Sequence, residues 1–391
     1  MFLLDKPYVS DFLKKTLRDE GIPVVHTQAA SRFGLYDGTN LVDEKNAAEI
    51  IRKDEQPRLY MTSENAIQWA ALNLDPEGIP AAIRMFKNKA EFRELTKEIF
   101  PDFSFREVSL GDLRDFRCSS FPLPFVVKPS VGFFSMGVYQ VTDCSAWNGI
   151  VDSIFREINE TKGIYPGEVL NTGNFLIEQC ISGEEFAVDA YFDGDGEPVI
   201  LGIYKHLFSS EQDVSDRVYT TSAEIVRKNL KEFTSFTAAI GRATGVRNFP
   251  VHIELRRDSG GLLLPIEVNP MRFGGWCTTA DCTFHAFGFN PYLYYYLQLK
   301  PDWPVLLREK DGTRFSIVVL DNSTGIRAEQ IVSFNYDALL TGFEKPLELR
   351  KIDWKEYPVF GFLFTETPES ATGELDRILH SNLQEFITFS V

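Results

Sequence analysis

The chain has 391 residues and a formal net charge of −16, with 44% hydrophobic and 25% charged residues. That is a globular composition with room for two or three separate cores, and it excludes long disorder. The acidic balance argues against nucleic-acid partners and against an anionic membrane surface, because phosphate recognition there needs clustered Lys and Arg. Met1 to Lys6 is too short and too soon charged for a signal peptide, and no apolar run approaches a membrane span, so the expectation is a cytoplasmic protein. The cysteines Cys118, Cys144, Cys180, Cys277 and Cys282 show no spacing suited to zinc. Their odd count is read as a reducing compartment, and the thiols as small buried hydrophobes.

The first stretch alternates strand and helix. A short apolar MFLL precedes a helical pattern over about Val9 to Glu20, closed by Gly21; IPVVHT and RLYMTSE then read as strands, and ENAIQWAALNL as a helix. This predicts an α/β unit over residues 1–84. A charged helix is expected from about Lys87 to Phe100. The Pro-flanked FPLPFVVKPSVGFFSMGVYQV then reads as two strands around a loop, and Asp143 to Thr161 has helical spacing, giving a second unit over 85–173. From Asn174 to Lys205 the pattern turns to strands, with Asp193-Gly194-Asp195-Gly196 as a turn, and Lys231 to Thr244 reads as an amphipathic helix. Phe208 to Thr221 is polar and turn-rich; as a loop it suits either a lid, with Arg217 and Tyr219 against substrate, or plain surface. The third unit spans 174–300, and strands over Phe315 to Leu320 and Val359 to Phe364 with a closing helix from about Gly373 to Phe386 make a fourth, 301–391.

The segment VHIELRRDSGGLLLPIEVNPMRFGGW, Val251 to Trp276, carries the most chemistry. It reads as two strands joined by Asp258-Ser259-Gly260-Gly261. Alternation puts Glu267 and Asn269 on one face, and a symmetric four-residue loop would set Glu254 opposite Pro265, diagonal to Glu267. Two carboxylates and an amide then converge. Such a set repels itself unless a hard cation sits among the oxygens, and magnesium, which shares its shell with substrate phosphates, fits best. A solvated acidic hairpin is the other reading of this segment taken alone.

Two upstream features bear on phosphate. Lys128 follows Val126-Val127, and the next residues include Gly132, Ser135 and Gly137, small enough for backbone amides to approach phosphate oxygens. No Gly-Lys-Ser/Thr opens a helix, so this is not a Walker loop, and an ordinary hairpin turn is the alternative. Between the strands around Ile177 and Phe186, backbone groups suit an adenine edge and Glu185 suits ribose hydroxyls, unless the segment is an ordinary surface link carrying acids.

In order, Asn88-Lys89, VVKPSVGFFSMGV, LIEQCISGEEFAVD, Lys205 and HIEL…PIEVNPMRFGG resemble the ATP-grasp superfamily, over roughly residues 85 to 285. The whole layout is similar to its three-domain carboxylate–amine (or carboxylate–thiol) ligases. The resemblance implies an ATP-grasp fold, α/β and α+β in class, with an N-terminal pre-ATP-grasp-like α/β domain and a C-terminal subdomain. It implies ATP held between two α+β subdomains with magnesium, or manganese in its place. It also implies an ADP-forming carbon–nitrogen ligase that activates a carboxylate as an acyl phosphate for attack by an amine, on substrates of amino-acid or peptide type. Thiol ligation, small-molecule phosphorylation and a non-catalytic ATP-binding module are the alternatives, and a homo-oligomer is compatible with all of them.

Residue by residue, Lys89 and Lys128 resemble the phosphate lysines, with Ser135 and Gly137 in the phosphate loop. Glu178 resembles the acceptor for the adenine amino group, Cys180 and Ile181 the hinge backbone, and Glu185 the ribose ligand. Lys205 resembles the lysine facing adenine and phosphate, and is placed with Arg272 among the expected catalytic residues. Glu254, Glu267 and Asn269 fall on the metal ligands, and Arg272 on the catalytic arginine that steadies the acyl phosphate. The family's usual ending is Asn-Pro-Arg; here Met271 intervenes and displaces Arg272 by one residue. Phe133 and Phe134 stand where small residues are usual. Lys87 competes with Lys89 for its role, and His252 lies two residues before Glu254.

Overall fold

The computed structural model describes residues 1–131, 137–161, 171–210, 213, 215–371 and 373–390. They form two compact units, each drawn from several stretches: Met1–Gly183, Tyr191–Pro198 and Ser235–Trp276 in one, Glu184–Ala190, Val199–Thr234 and Cys277–Val391 in the other.

The first unit opens with a parallel sheet in the order Leu41–Asp43, Val24–His26, Phe2–Leu3, Tyr60–Met61. Ser10 starts the helix Asp11–Asp19 by accepting from Leu13 N, and Asp43 starts Glu44–Lys53 by accepting from Asn46 N. Both caps satisfy amides that a helix start leaves without partners. The charged helix expected over Lys87 to Phe100 is instead a pair, Ile79–Lys87 and Lys89–Leu95, broken at Asn88. Asn88 has ψ 100°, outside the helical range, and its side chain caps the second helix by accepting from Ala90 N and Glu91 N. The cap fixes where Lys89 and Arg93, four residues apart on one helical face, begin to point.

An antiparallel sheet follows, in the order Phe105–Ser109, Asn171–Gln179, Phe125–Val131, Tyr139–Val141. One of its faces packs under the helix Trp147–Thr161, with Phe125, Val127, Phe175, Ile177, Val151 and Ile154 fully or nearly fully buried. Burial of each such side chain contributes about 1.5–3 kcal/mol. Cys118 and Cys144 form a disulfide here, with Cα atoms 5.6 Å apart. This corrects the expectation of isolated thiols: the turns Cys118–Ser120 and Cys144–Ala146, 26 residues apart, meet within a disulfide's reach. Cys277 and Cys282 are buried thiols, as expected.

In the second unit Pro198–Leu207, Val218–Ser222, Thr313–Asp321, Val359–Pro368 and Pro346–Lys351 pair in that order, each antiparallel to its neighbours. A core including Val318, Leu320, Phe334, Phe360, Leu363, Leu375 and Leu383 lies against it. The end of the polar segment Phe208 to Thr221 is therefore a strand. Arg217, expected in a loop, is buried and paired with Asp321 at 2.8 Å. Among the described residues no helix is long and apolar enough to cross a membrane.

Candidate active site

The acidic hairpin is present as Phe249–Arg257 and Leu263–Pro270. Its loop is tighter than a symmetric four-residue turn. Asp258 N donates to Leu262 O at 3.0 Å, the Asp258 carboxylate accepts from Gly260 N and Leu262 N at 2.8 Å each, and Gly261 takes φ +88°. The register then shifts between Glu254 and Leu255, where Leu255 faces Pro265 but Glu254 faces Glu267. Ile266 is the extra residue of a β-bulge. Glu254 thus stands directly opposite Glu267, not opposite Pro265 as the loop length alone implied. His252 faces Asn269.

The hairpin face is an ordered set of contacts. Asn269 Nδ2 donates to Glu267 Oε1 at 3.1 Å and lies 3.4 Å from Glu254 Oε1, while His252 Nε2 is 3.8 Å from the same oxygen. Lys89 Nζ pairs with Glu267 Oε2 at 3.1 Å. Burial works against ionising Glu267, but Lys89, with Lys87 and Lys128, outweighs it and holds the carboxylate well below the usual range. Burial likewise opposes charge on Lys89, yet Glu267, with Glu64 and Glu178, raises it above the ordinary lysine range.

Lys128 and Glu178 face each other across adjoining strands. Lys128 Nζ meets Glu178 Oε1 at 2.5 Å, and Arg93 Nε meets Oε2 at 2.7 Å. Arg93 Nη2 also donates to Ile266 O at 3.1 Å, so the bulge's carbonyl is tied to the same group. Burial opposes charge on Glu178, but Arg93 and Lys128 bring it down to about 2. Lys128 is pulled below the ordinary lysine range by burial, against the attraction of Glu178. Next along, Arg272 Nη2 pairs with Glu64 Oε1 at 3.0 Å and Lys87 Nζ with Glu64 Oε2 at 2.5 Å. The first unit therefore holds three sets of contacts: Lys89, Glu254, Glu267 and Asn269 on the hairpin face, Lys128 and Glu178 tied to that hairpin through Arg93, and Arg272 with Glu64 and Lys87.

Gly137 has φ +68°, and a Cβ there would lie 3.2 Å from Pro129 Cγ, so the turn needs glycine. Ser135, with Phe133 and Phe134, lies outside the described residues. Cys180 N donates to Pro124 O at 3.2 Å, and the Ile181 carbonyl accepts from Arg256. Glu185 and Lys205 belong to the second unit, where they do not pair with each other. Lys205 Nζ meets Glu184 Oε1 at 2.5 Å, and the buried Glu185 meets His206 Nδ1 at 2.9 Å. Tyr219 stacks on that imidazole at 4.2 Å.

Arg93, Glu64 and His206 were not foreseen, and Lys87 was weighed only as a rival to Lys89. Arg93 had a signal in its four-residue spacing from Lys89 on a capped helix. Glu64, two hundred residues from its partner, had none.

The family profile described as an ATP-grasp domain matches residues 121–280. No curated protein sequence matches the chain. Among solved structures, the L-amino acid ligase of Bacillus licheniformis is similar at TM-score 0.67 and 18% identity, over 100% of this chain and 98% of that one. The biotin carboxylase domain of Hydrogenobacter thermophilus 2-oxoglutarate carboxylase, solved with MgADP and bicarbonate, is similar at TM-score 0.61 and 12% identity, over 100% and 90%. An Aspergillus clavatus N5-carboxyaminoimidazole synthase, in complex with ADP and 5-aminoimidazole ribonucleotide, is similar at TM-score 0.63 and 10% identity, over 98% of each chain. The chain carries an ATP-grasp domain, and from end to end its fold is the ATP-grasp fold.

Proposed function

We propose that the chain is an ADP-forming ligase that uses ATP to activate a carboxylate as an acyl phosphate and passes it to an amine, on amino-acid or peptide-type substrates. The observation that carries this reading is the hairpin face, where Glu254 and Glu267 stand opposite each other with Asn269 at hydrogen-bond distance from both.

That donor set fits a magnesium ion. The two carboxylates are about a quarter exposed, and the buried amide can present its oxygen after a flip that exchanges O and N. Among the described residues no group of three or more His, Cys, Asp or Glu converges on a point. That suits magnesium, which takes one or two protein carboxylates and completes its shell with phosphate oxygens and water. When bound, the metal would offset charge on the transferring phosphoryl group.

The side chains supply positioning and charge. Lys89 and Lys128 would hold phosphate oxygens, releasing part of their present pairing with Glu267 and Glu178. Gly137 would let backbone amides approach phosphate closely. Glu178 would accept from the adenine amino group, and the Cys180 carbonyl and Ile181 amide would read the adenine edge. Glu185 would accept from ribose, and Lys205 would contact nucleotide. Arg272 would face the acyl phosphate, where a fixed guanidinium matches a developing anion. The similarity to an L-amino acid ligase supports the choice of substrate class.

The test is ADP release from MgATP with the twenty L-amino acids, singly and in pairs, with mass spectrometry of the products. Amide products support the reading; phosphorylated or thioester products, or no ADP release from any pair, refute it.

A further inference from the structure

We propose that Glu64 is a positioning residue that sets the guanidinium of Arg272, so that the one-residue displacement by Met271 is compensated from the turn that follows the strand Tyr60–Met61. This rests on the reading of Arg272 as the acyl-phosphate contact.

Met271, the residue that displaces Arg272, is a backbone corner. It has φ +65°, uncommon for a non-glycine residue, its side chain is buried, and both its backbone groups are held: N donates to Pro250 O at 2.7 Å, and O accepts from Met61 N at 2.8 Å. The second bond docks the corner on the strand Tyr60–Met61. Phe273 completes the dock, donating its N–H to Tyr60 Oη at 3.3 Å with the rings 5.2 Å apart. The same strand leads, three residues on, to Glu64, which opens the turn Glu64–Ala66. The extra residue and its correction thus share one support.

Glu64 is then within reach of two cations. Its Oε1 takes Arg272 Nη2 and its Oε2 takes Lys87 Nζ, with Arg272 Nη1 donating to Phe273 O at 2.9 Å. The Glu64 and Arg272 side chains are each 12% exposed, so water competes little for the pair. Burial opposes ionising Glu64, but Lys87 and Arg272 keep it below the ordinary carboxylate range. An arginine loses rotamer freedom when it binds an anion, and a guanidinium already held at two nitrogens loses less.

Removing Glu64 has two opposed effects on an anion at Arg272. Loss of a nearby negative charge tightens anion binding; loss of the fixed guanidinium weakens it. The sign of the change therefore separates a positioning role from simple charge. The probe is inorganic phosphate, titrated calorimetrically into the full chain held with MgADP. Glu64→Gln is expected to weaken phosphate about tenfold while leaving the MgADP affinity within about twofold. In an Arg272→Ala background the same substitution is expected to change phosphate affinity less than about twofold. Unchanged or tighter phosphate binding in Glu64→Gln overturns the proposal, as does a loss that persists undiminished without Arg272. Because Glu64→Gln strands the Lys87 ammonium, the comparison is repeated between Lys87→Met and Lys87→Met/Glu64→Gln, where the second change leaves no lysine ammonium stranded and takes a carboxylate partner only from Arg272. The same weakening is expected there. ADP release with amino-acid pairs is followed in parallel: a wild-type chain that binds phosphate as described but releases no ADP removes the ligase reading and leaves the role of Glu64 standing.

Discussion

Two ion clusters of this chain invite comparison, the hairpin face of the first unit and the group around Arg350 in the second. Arg350 sends Nη2 to Asp281 at 2.5 Å, Nε to Glu348 at 2.6 Å and Nη1 to the Cys277 carbonyl at 3.3 Å, with its guanidinium 4.4 Å from the Phe364 ring. Tyr292 donates to the other oxygen of Asp281, and His285 pairs with the other oxygen of Glu348. Arg350 and Asp281 are each 2% exposed, with Glu348 at 36% on the cluster's outer side, whereas Glu254 and Glu267 are 27% and 26% exposed. Both clusters are rich in charge. Of the two, the hairpin sets two carboxylates directly opposite each other, whereas Arg350 stands between Asp281 and Glu348, so the arrangement of charge, more than its amount, marks a site.

If that distinction holds, damage to the two clusters has different readouts. Glu267→Gln should reduce ADP release roughly 10³-fold, about 4 kcal/mol of barrier, in a chain that circular dichroism shows still folded. Retained turnover at ordinary magnesium breaks the comparison from the catalytic side. Arg350→Ala should do the reverse. It strands two carboxylates and should cost about 3–5 kcal/mol of stability by urea titration, while the remaining folded protein binds MgADP as before.

Acid titration sharpens the contrast. Glu178 is brought from the ordinary 4.5 to about 2, so its stabilising contribution is complete above about 4.5 and is lost as pH falls toward 2. The difference corresponds to about 3 kcal/mol. Urea unfolding of the wild-type chain should therefore weaken from pH 5 to pH 3, and Glu178→Gln, already less stable at pH 7, should show a shallower decline. Equal slopes would show that the Arg93–Glu178–Lys128 group is not what acid breaks. The smallest effect belongs to the more exposed pair Lys205–Glu184: a double-mutant cycle should give less than about 1 kcal/mol of coupling. A larger value would make that pair structural and weaken its place in a nucleotide site.

How far the chain could be read beforehand depended on range. Strand and helix patterns were legible wherever period and caps coincide, as at Phe125–Val131 and Trp147–Thr161. They failed where a local cap or a tertiary contact overrode the pattern. The long helix Ala223–Thr244 starts eight residues before the Lys231 its pattern indicated, with Ser222 Oγ accepting from Ile225 N near its start. Val218–Ser222 is a strand held between Pro198–Leu207 and Thr313–Asp321, the second of them about a hundred residues away.

The site divides the same way. Alternation along a strand was enough to put Glu267 and Asn269 on one face, because side-chain direction in a strand is a local property of the backbone. The order of Lys89, Lys128, Glu178, Glu254, Glu267 and Asn269 was enough to point to the ATP-grasp fold. Only the tertiary structure set Glu254 opposite Glu267, since register depends on how Asp258 closes the loop and on the bulge at Ile266. Only it joined Arg93 to Glu178 across 85 residues, and Arg272 to Glu64 across 208. The physical reason is that local periodicity carries no information about which distant backbone will pack alongside, and buried charges take whatever partner that packing delivers.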